Sequence, residues 1–239
     1  MNTLVLENKG EVKMIAHRGL SGLELENTCA AFVAAGVKSY YGIETDVHVT
    51  KDGKYVIIHD DTLERVAGLN WVVEETEFEK LRAVQLIEKD GGTRKDLCLP
   101  TLEEYVAICK KYDKQAILEL KNRMTAEQVW EIAEIVKAGG WFERTTFISF
   151  AGENLEDMRK KYPSADVQFL TDTVTDETVE YLVKNKFDAD LCGYCVTPDL
   201  VKKLHALGIK VNVWTLDTIE HGNMALAAGV DFITSNILE

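Results

Sequence analysis

With 239 residues, 46% of them hydrophobic, the chain has material for a sizeable core, which excludes a disordered or fibrous protein. A net charge of −13 repels polyanions and so excludes broad binding to nucleic acid or anionic membrane, while an anionic small molecule remains open if local cations receive it. No apolar run reaches the ~18 residues of a membrane span, and an odd number of cysteines, five, behind a start that lacks a basic-then-apolar leader points to a reducing cytoplasm.

In chain order, β-type runs occupy residues 12–16, 41–47, 54–58, 116–120, 146–150, 166–170, 189–193, 210–215 and 231–234. Helical periodicity fills most of the gaps, at 28–35, 102–112, 126–138, 153–161, 176–185, 198–206 and 218–227. Such alternation predicts parallel strands joined by crossover helices. The second and third runs are the exception. Their connection, His48 to Gly53, holds an Asp-Gly turn and has no room for a crossover, so 54–58 is the return arm of a hairpin.

The remaining strands predict an α/β fold, a TIM (β/α)8 barrel formed as one domain over 1–239, with a β-hairpin extension after strand 2. A turn at Asp52-Gly53 brings His59 back to about the level of Glu44. Residues 61–100 read as a small insertion or lid over the C-terminal strand ends, with a helix-like patch near 77–83. Too little chain follows the last strand for an eighth outer helix, so Leu4, Val5 and Leu6 are expected to help close the barrel floor. Cys192-Gly193-Tyr194-Cys195 has C-x-x-C spacing but follows a strand and has no second pair, so it is read as neither a redox nor a zinc motif.

The charged residues that end the first strands carry the chemistry, because strand ends of parallel α/β folds open into one cleft. Glu44 and Asp46, two apart on a strand, share a face, and Glu119 ends the next barrel strand. Three carboxylates converging without cysteine or clustered histidine suit a hard divalent ion, Mg²⁺ or Ca²⁺. His17 and His59 flank the same mouth and are suited to divide proton transfer between attacking and leaving oxygens. Arg18 and Lys121 adjoin these positions and are suited to hold an anionic oxygen. His48, His205 and His221 read as structural. A metal, two bases and two cations around an anion describe a phosphoester hydrolase.

The motifs His17-Arg18-Gly19, Glu26-Asn27-Thr28, Glu44-Thr45-Asp46-Val47, Lys51-Asp52-Gly53, His59-Asp60-Asp61-Thr62-Leu63-Glu64-Arg65, Pro100-Thr101-Leu102-Glu103, Glu119-Leu120-Lys121 and Val213-Trp214-Thr215 closely resemble the glycerophosphodiester phosphodiesterase family, of the bacterial cytoplasmic type. The resemblance implies a divalent metal on Glu44, Asp46 and Glu119, acid–base catalysis by His17 and His59, and phosphate contacts from Arg18 and Lys121. It also implies a glycerol-side wall of Phe150 and Trp214, supporting roles for Glu26 and Asn27, and cleavage of glycerophosphodiesters to sn-glycerol 3-phosphate and an alcohol, a reaction of glycerol and lipid metabolism. Two segments depart from the family pattern: Leu23-Glu24-Leu25, where a proline is frequent, and Asp231 to Asn236, which lacks a following proline. Both are expected to lie away from the proposed ligands and to bear on loop shape and substrate range.

A related barrel acting on lysophospholipids would want an apolar mouth, for which Leu69, Trp71 and Val72 are available. A catalytically silent phosphodiester-binding barrel would have no need of all five of His17, His59, Glu44, Asp46 and Glu119.

Overall fold

The computed structural model describes residues 2–239. Eight parallel strands form a closed ring: β1 (Lys13–Ala16), β2 (Gly42–Val49), β4 (Gln115–Leu120), β5 (Thr145–Ser149), β6 (Asp166–Thr171), β7 (Asp188–Cys192), β8 (Val211–Trp214) and β9 (Phe232–Ser235). Pairing of β1 with both β2 and β9 closes it. The antiparallel β3 (Tyr55–Ile57) folds back on β2, through a turn in which Gly53 takes φ +71°, a conformation glycine adopts without penalty. This is the expected TIM barrel with its hairpin, and the strand limits fall close to those read from sequence.

Each crossover carries a helix: α1 (Cys29–Gly36), α4 (Leu102–Lys111), α5 (Ala126–Ala138), α6 (Gly152–Lys161), α7 (Asp176–Asn185), α8 (Pro198–Ala206) and α9 (Ile219–Ala228). Most of them begin on a threonine whose side chain accepts a backbone N–H of the first turn, as with Thr28, Thr125 and Thr218. Thr101 with Glu104 adds the reciprocal capping bond. The main core lies between the ring and these helices and includes Phe32, Ile43, Val47, Leu118, Phe147 and Leu191. A smaller inner cluster of Ile15, Ile117, Ile148, Leu170 and Phe232 packs together. Because side chains alternate along a strand, Ile117 shares the face of Glu119, so this cluster belongs to the barrel interior.

Residues 61–100 contain two short helices, α2 (Glu64–Ala67) and α3 (Phe78–Arg82). Only the second was anticipated. They are anchored by a separate apolar cluster in which Leu63, Val66, Leu81, Leu86 and Leu97 pack on Val56 and Ile58 of the hairpin arm.

One expectation is corrected. Leu4 to Leu6 do not close the barrel floor; they pair with the C-terminal tail, through Leu4 N–H to Ile237 O (3.0 Å) and Leu6 N–H to Glu239 O (2.8 Å). Leu6 and Leu238 are buried against Gly222 of α9, while the Ser39 N–H beyond α1 donates to Glu239 Oε1. The tail thus fills the gap between the last helix and the first, where an eighth helix would lie. No helix among the described residues is long and apolar enough to cross a membrane.

Candidate active site

The strand ends at the C-terminal face bring the charged residues together. β1 stops at Ala16, and Arg18 enters the left-handed region at φ +53°. That break in alternation lets Arg18 turn toward the same centre as His17. Its backbone N–H donates to Glu44 Oε2 (2.8 Å), its Nη1 donates to Glu26 Oε1 (2.8 Å), and its Nε lies 3.6 Å from Asp46 Oδ2. Gly19 follows at φ +76°, where a Cβ would stand 2.7 Å from the Ala31 backbone, so the loop lies directly on α1.

Glu44 and Asp46 point to one side of β2, and the register sets Glu119 of β4 beside Asp46. One carboxylate oxygen from each of the three lies within 4.8 Å of the others, and all three residues are buried. Lys121 Nζ is 2.9 Å from Glu119 Oε1 and 3.6 Å from Asp46 Oδ1. The ladder continues past β3 with the Ile58 N–H on Asp46 O, which sets His59 at the mouth. His17, Arg18, Glu44, His59, Glu119, Phe150, Asp190 and Trp214 all line one cavity. Phe150 and Trp214 meet edge-to-face, ring centroids 5.7 Å apart. Larger hollows lie on the outer wall, such as that between Tyr194, His221 and Met224, but among the described residues no other three carboxylates converge as Glu44, Asp46 and Glu119 do.

The electrostatics follow from burial. Desolvation, with the charges of Asp46 and Glu119, pushes Glu44 well above the usual carboxylate range. Desolvation and Asp46 push Glu119 up to about 7, against the pull of Lys121. Asp46 is equally desolvated, but Arg18, Lys121 and His59 outweigh that and hold it below its ordinary value. Asp46 Oδ1 has no hydrogen-bond partner. Converging hard oxygens, one unpaired and two resisting ionisation for want of positive charge, fit a divalent cation. Asn27 steadies the cluster, its Nδ2 donating to Asp46 Oδ2 (2.7 Å) while its Oδ1 accepts from Thr45 Oγ1 (2.7 Å).

Both histidines present Nε2 to the cavity because Nδ1 is engaged. His17 Nδ1 is 2.8 Å from Asn236 Oδ1, and that amide is oriented by its own Nδ2, which donates to Asp217 Oδ2 (2.6 Å). An amide oxygen only accepts, so His17 Nδ1 carries the hydrogen. His59 Nδ1 is 2.7 Å from Asp60 Oδ1, and Arg65 holds Asp60 ionised. Burial and the Arg18 charge depress His17 to about 4. Burial likewise depresses His59, against Asp46.

Residues 17–238 match the family model described as Glycerophosphoryl diester phosphodiesterase family. The chain belongs to this family. It is 29% identical over 230 residues to a glycerophosphodiester phosphodiesterase of Caldanaerobacter subterraneus, covering 93% of each chain. Among solved structures it resembles a glycerophosphodiester phosphodiesterase from Parabacteroides distasonis, with TM-score 0.77, 28% identity, and 99% and 94% of the two chains covered. It shares its fold with an Oleispira antarctica phosphodiesterase in complex with sn-glycerol-3-phosphate, at TM-score 0.79, 24% identity and 94% and 93% coverage.

Within this phosphodiesterase scaffold, several neighbours of the predicted residues were not foreseen. Asp60 and Arg65 belong to the motif His59-Asp60-Asp61-Thr62-Leu63-Glu64-Arg65, and the adjacency of Asp60 to His59 is a signal legible in the sequence. Arg65 grips Asp60 and Glu26 together through four contacts of 2.7–3.0 Å, so the side chain that holds Arg18 and the one that holds His59 share one clamp. Asn236 corrects a further expectation: the segment from Asp231 to Asn236 reaches His17 directly. Asp190 carried no sequence signal. His48, His205 and His221 do not line the cavity; His205 pairs with Asp231 instead.

Proposed function

We propose that this phosphodiesterase hydrolyses glycerophosphodiesters to sn-glycerol 3-phosphate and an alcohol, with His17 and His59 exchanging protons across the phosphoryl group. The observation that carries the reading is two imidazoles, each with Nδ1 fixed, lining one cavity with Arg18, Glu44 and Glu119, the two carboxylates converging with buried Asp46 beside Lys121. Glu44, Asp46 and Glu119 would hold Mg²⁺ or Ca²⁺. When bound, such an ion polarises a phosphoryl oxygen and lowers the pKa of the attacking hydroxyl.

Arg18 and Lys121 receive the phosphoryl oxygens, Arg18 through its planar fork and Lys121 as a point charge. His17, depressed to about 4, is neutral near pH 7 and takes the proton of the attacking oxygen at Nε2. His59, whose Nδ1 is held by Asp60, is placed to protonate the leaving oxygen from Nε2, and burial that disfavours its charged form makes that proton readily given up. Phe150 and Trp214 form the wall against the glycerol carbons. The Oleispira complex with sn-glycerol-3-phosphate supports the product class.

The lysophospholipid reading gains nothing from the geometry. Leu69 packs on the insertion's own core, and Trp71 and Val72 line a separate hollow with Lys51 and Lys80. The test is release of sn-glycerol 3-phosphate from glycerophosphocholine with Mg²⁺, with Ca²⁺ and with EDTA, beside lysophosphatidylcholine. Metal-dependent release from the first substrate is expected. Turnover of lysophosphatidylcholine alone, or no turnover of either, rejects the reading.

A further inference from the structure

On β7, across the ring from β2, Asp190 is only 2% exposed, yet it lines the site cavity. Its Oδ1 has no hydrogen-bond partner. Asn212, its register partner on β8, pulls on the carboxyl through its amide while also donating to Gln168 Oε1 (3.3 Å) and accepting from Thr234 Oγ1 (3.1 Å), and it leaves Oδ1 without a partner. Trp214, also on β8, lines the same cavity and carries a second buried polar atom without a partner, Nε1. Burial, then the Glu119 charge, raise the Asp190 carboxyl well above its usual range, against a weaker pull from Asn212.

Buried polar atoms left unpaired are costly and are retained where something else satisfies them. The rest of this wall is mostly apolar, formed by Ile148, Phe150, Leu170 and Trp214 with Thr234 at its side. A phosphate held by Arg18 and Lys121 on the β1–β2–β4 side directs the rest of the substrate toward it. A hydroxyl both donates and accepts, and so pairs with a carboxyl in either protonation state.

We propose that Asp190 determines specificity by hydrogen-bonding a hydroxyl of the substrate's glycerol moiety, an inference that rests on the phosphodiesterase reading above. A ligand lacking that hydroxyl leaves Asp190 unpaired and is rejected.

The test is calorimetric titration of the Mg²⁺-loaded protein with glycerol 3-phosphate and with propyl phosphate, which has the same carbon chain without hydroxyls. Wild type is expected to prefer glycerol 3-phosphate by roughly 10-fold or more. Asp190→Leu removes the unpaired carboxyl while keeping its branched shape, and the preference should fall about 10-fold through weaker glycerol 3-phosphate binding, with propyl phosphate held as before. Asp190→Asn keeps hydrogen-bonding atoms and should retain the preference within about 3-fold. If Asp190→Leu gives no cooperative melt, Asp190→Ala replaces it with the same expectation. An unchanged preference in the apolar variant, or equal weakening of both ligands, overturns the inference. Failure of wild type to bind either phosphate overturns the phosphodiesterase reading, and this inference with it.

Discussion

Removing or supplying a divalent cation should change the stability of this protein in a pH-dependent way. Folding lifts Glu119 from 4.5 to about 7, so ionising it in place costs on the order of 3 kcal/mol. Between those values the folded chain keeps a proton that the unfolded chain has lost. The metal-free fold is therefore favoured at low pH by this group, and loses that advantage as pH rises from about 4.5 to 7. Glu44 acts in the same direction. A bound ion replaces the protons, so affinity should tighten about tenfold per pH unit for each proton displaced up to that range.

At a concentration near 100 Kd the ion adds about 2.7 kcal/mol. For a chain of this size that is a rise in Tm of about 5–11 °C. Thermal melts with Mg²⁺, Ca²⁺ or EDTA at a fixed cation concentration, at pH 5 and pH 8, measure it. The shift should be large at pH 8 and small at pH 5, and Glu119→Gln should remove the share of the pH dependence that Glu119 contributes while leaving that of Glu44. Equal shifts at both pH values, or none with either cation, would refute the assignment of the carboxylates to a metal.

Further expectations concern the groups around that cluster. His17→Ala and His59→Ala should each lower kcat by about 10² to 10⁴ with circular dichroism unchanged, and near-full activity in either removes that residue from the mechanism. Arg65→Ala releases Asp60 and Glu26 together and should cost about 10²-fold in kcat/KM through misplacement of His59 and Arg18; steady-state kinetics retaining more than half the activity would show that the clamp is dispensable. Leu6→Ala should cost about 2–5 kcal/mol in urea unfolding, because Leu6 is buried with Leu238 against Gly222 of α9. A loss under about 1 kcal/mol would mean that the tail does not seal the barrel.

Local rules were enough for much of this protein. Alternation along a strand put Glu44 and Asp46 on one face, and the Asp52-Gly53 turn returned His59 to their end, since both depend only on backbone geometry over a few residues. Threonine caps and periodicity set the helices by the same short-range physics. The convergence of the three carboxylates followed once a barrel was inferred, because strand register makes Glu119 the neighbour of Asp46. What lay beyond the sequence depends on closure of the ring. Asn236 reaches His17 across 219 positions only because β9 pairs with β1. The terminal tail covers the gap because Leu4 and Leu238 pair, a contact that no local preference encodes. The unpaired carboxyl of Asp190 has no pattern of its own; its surroundings come from strands far apart in sequence, and only their packing around a common axis decides whether a buried polar group has a partner.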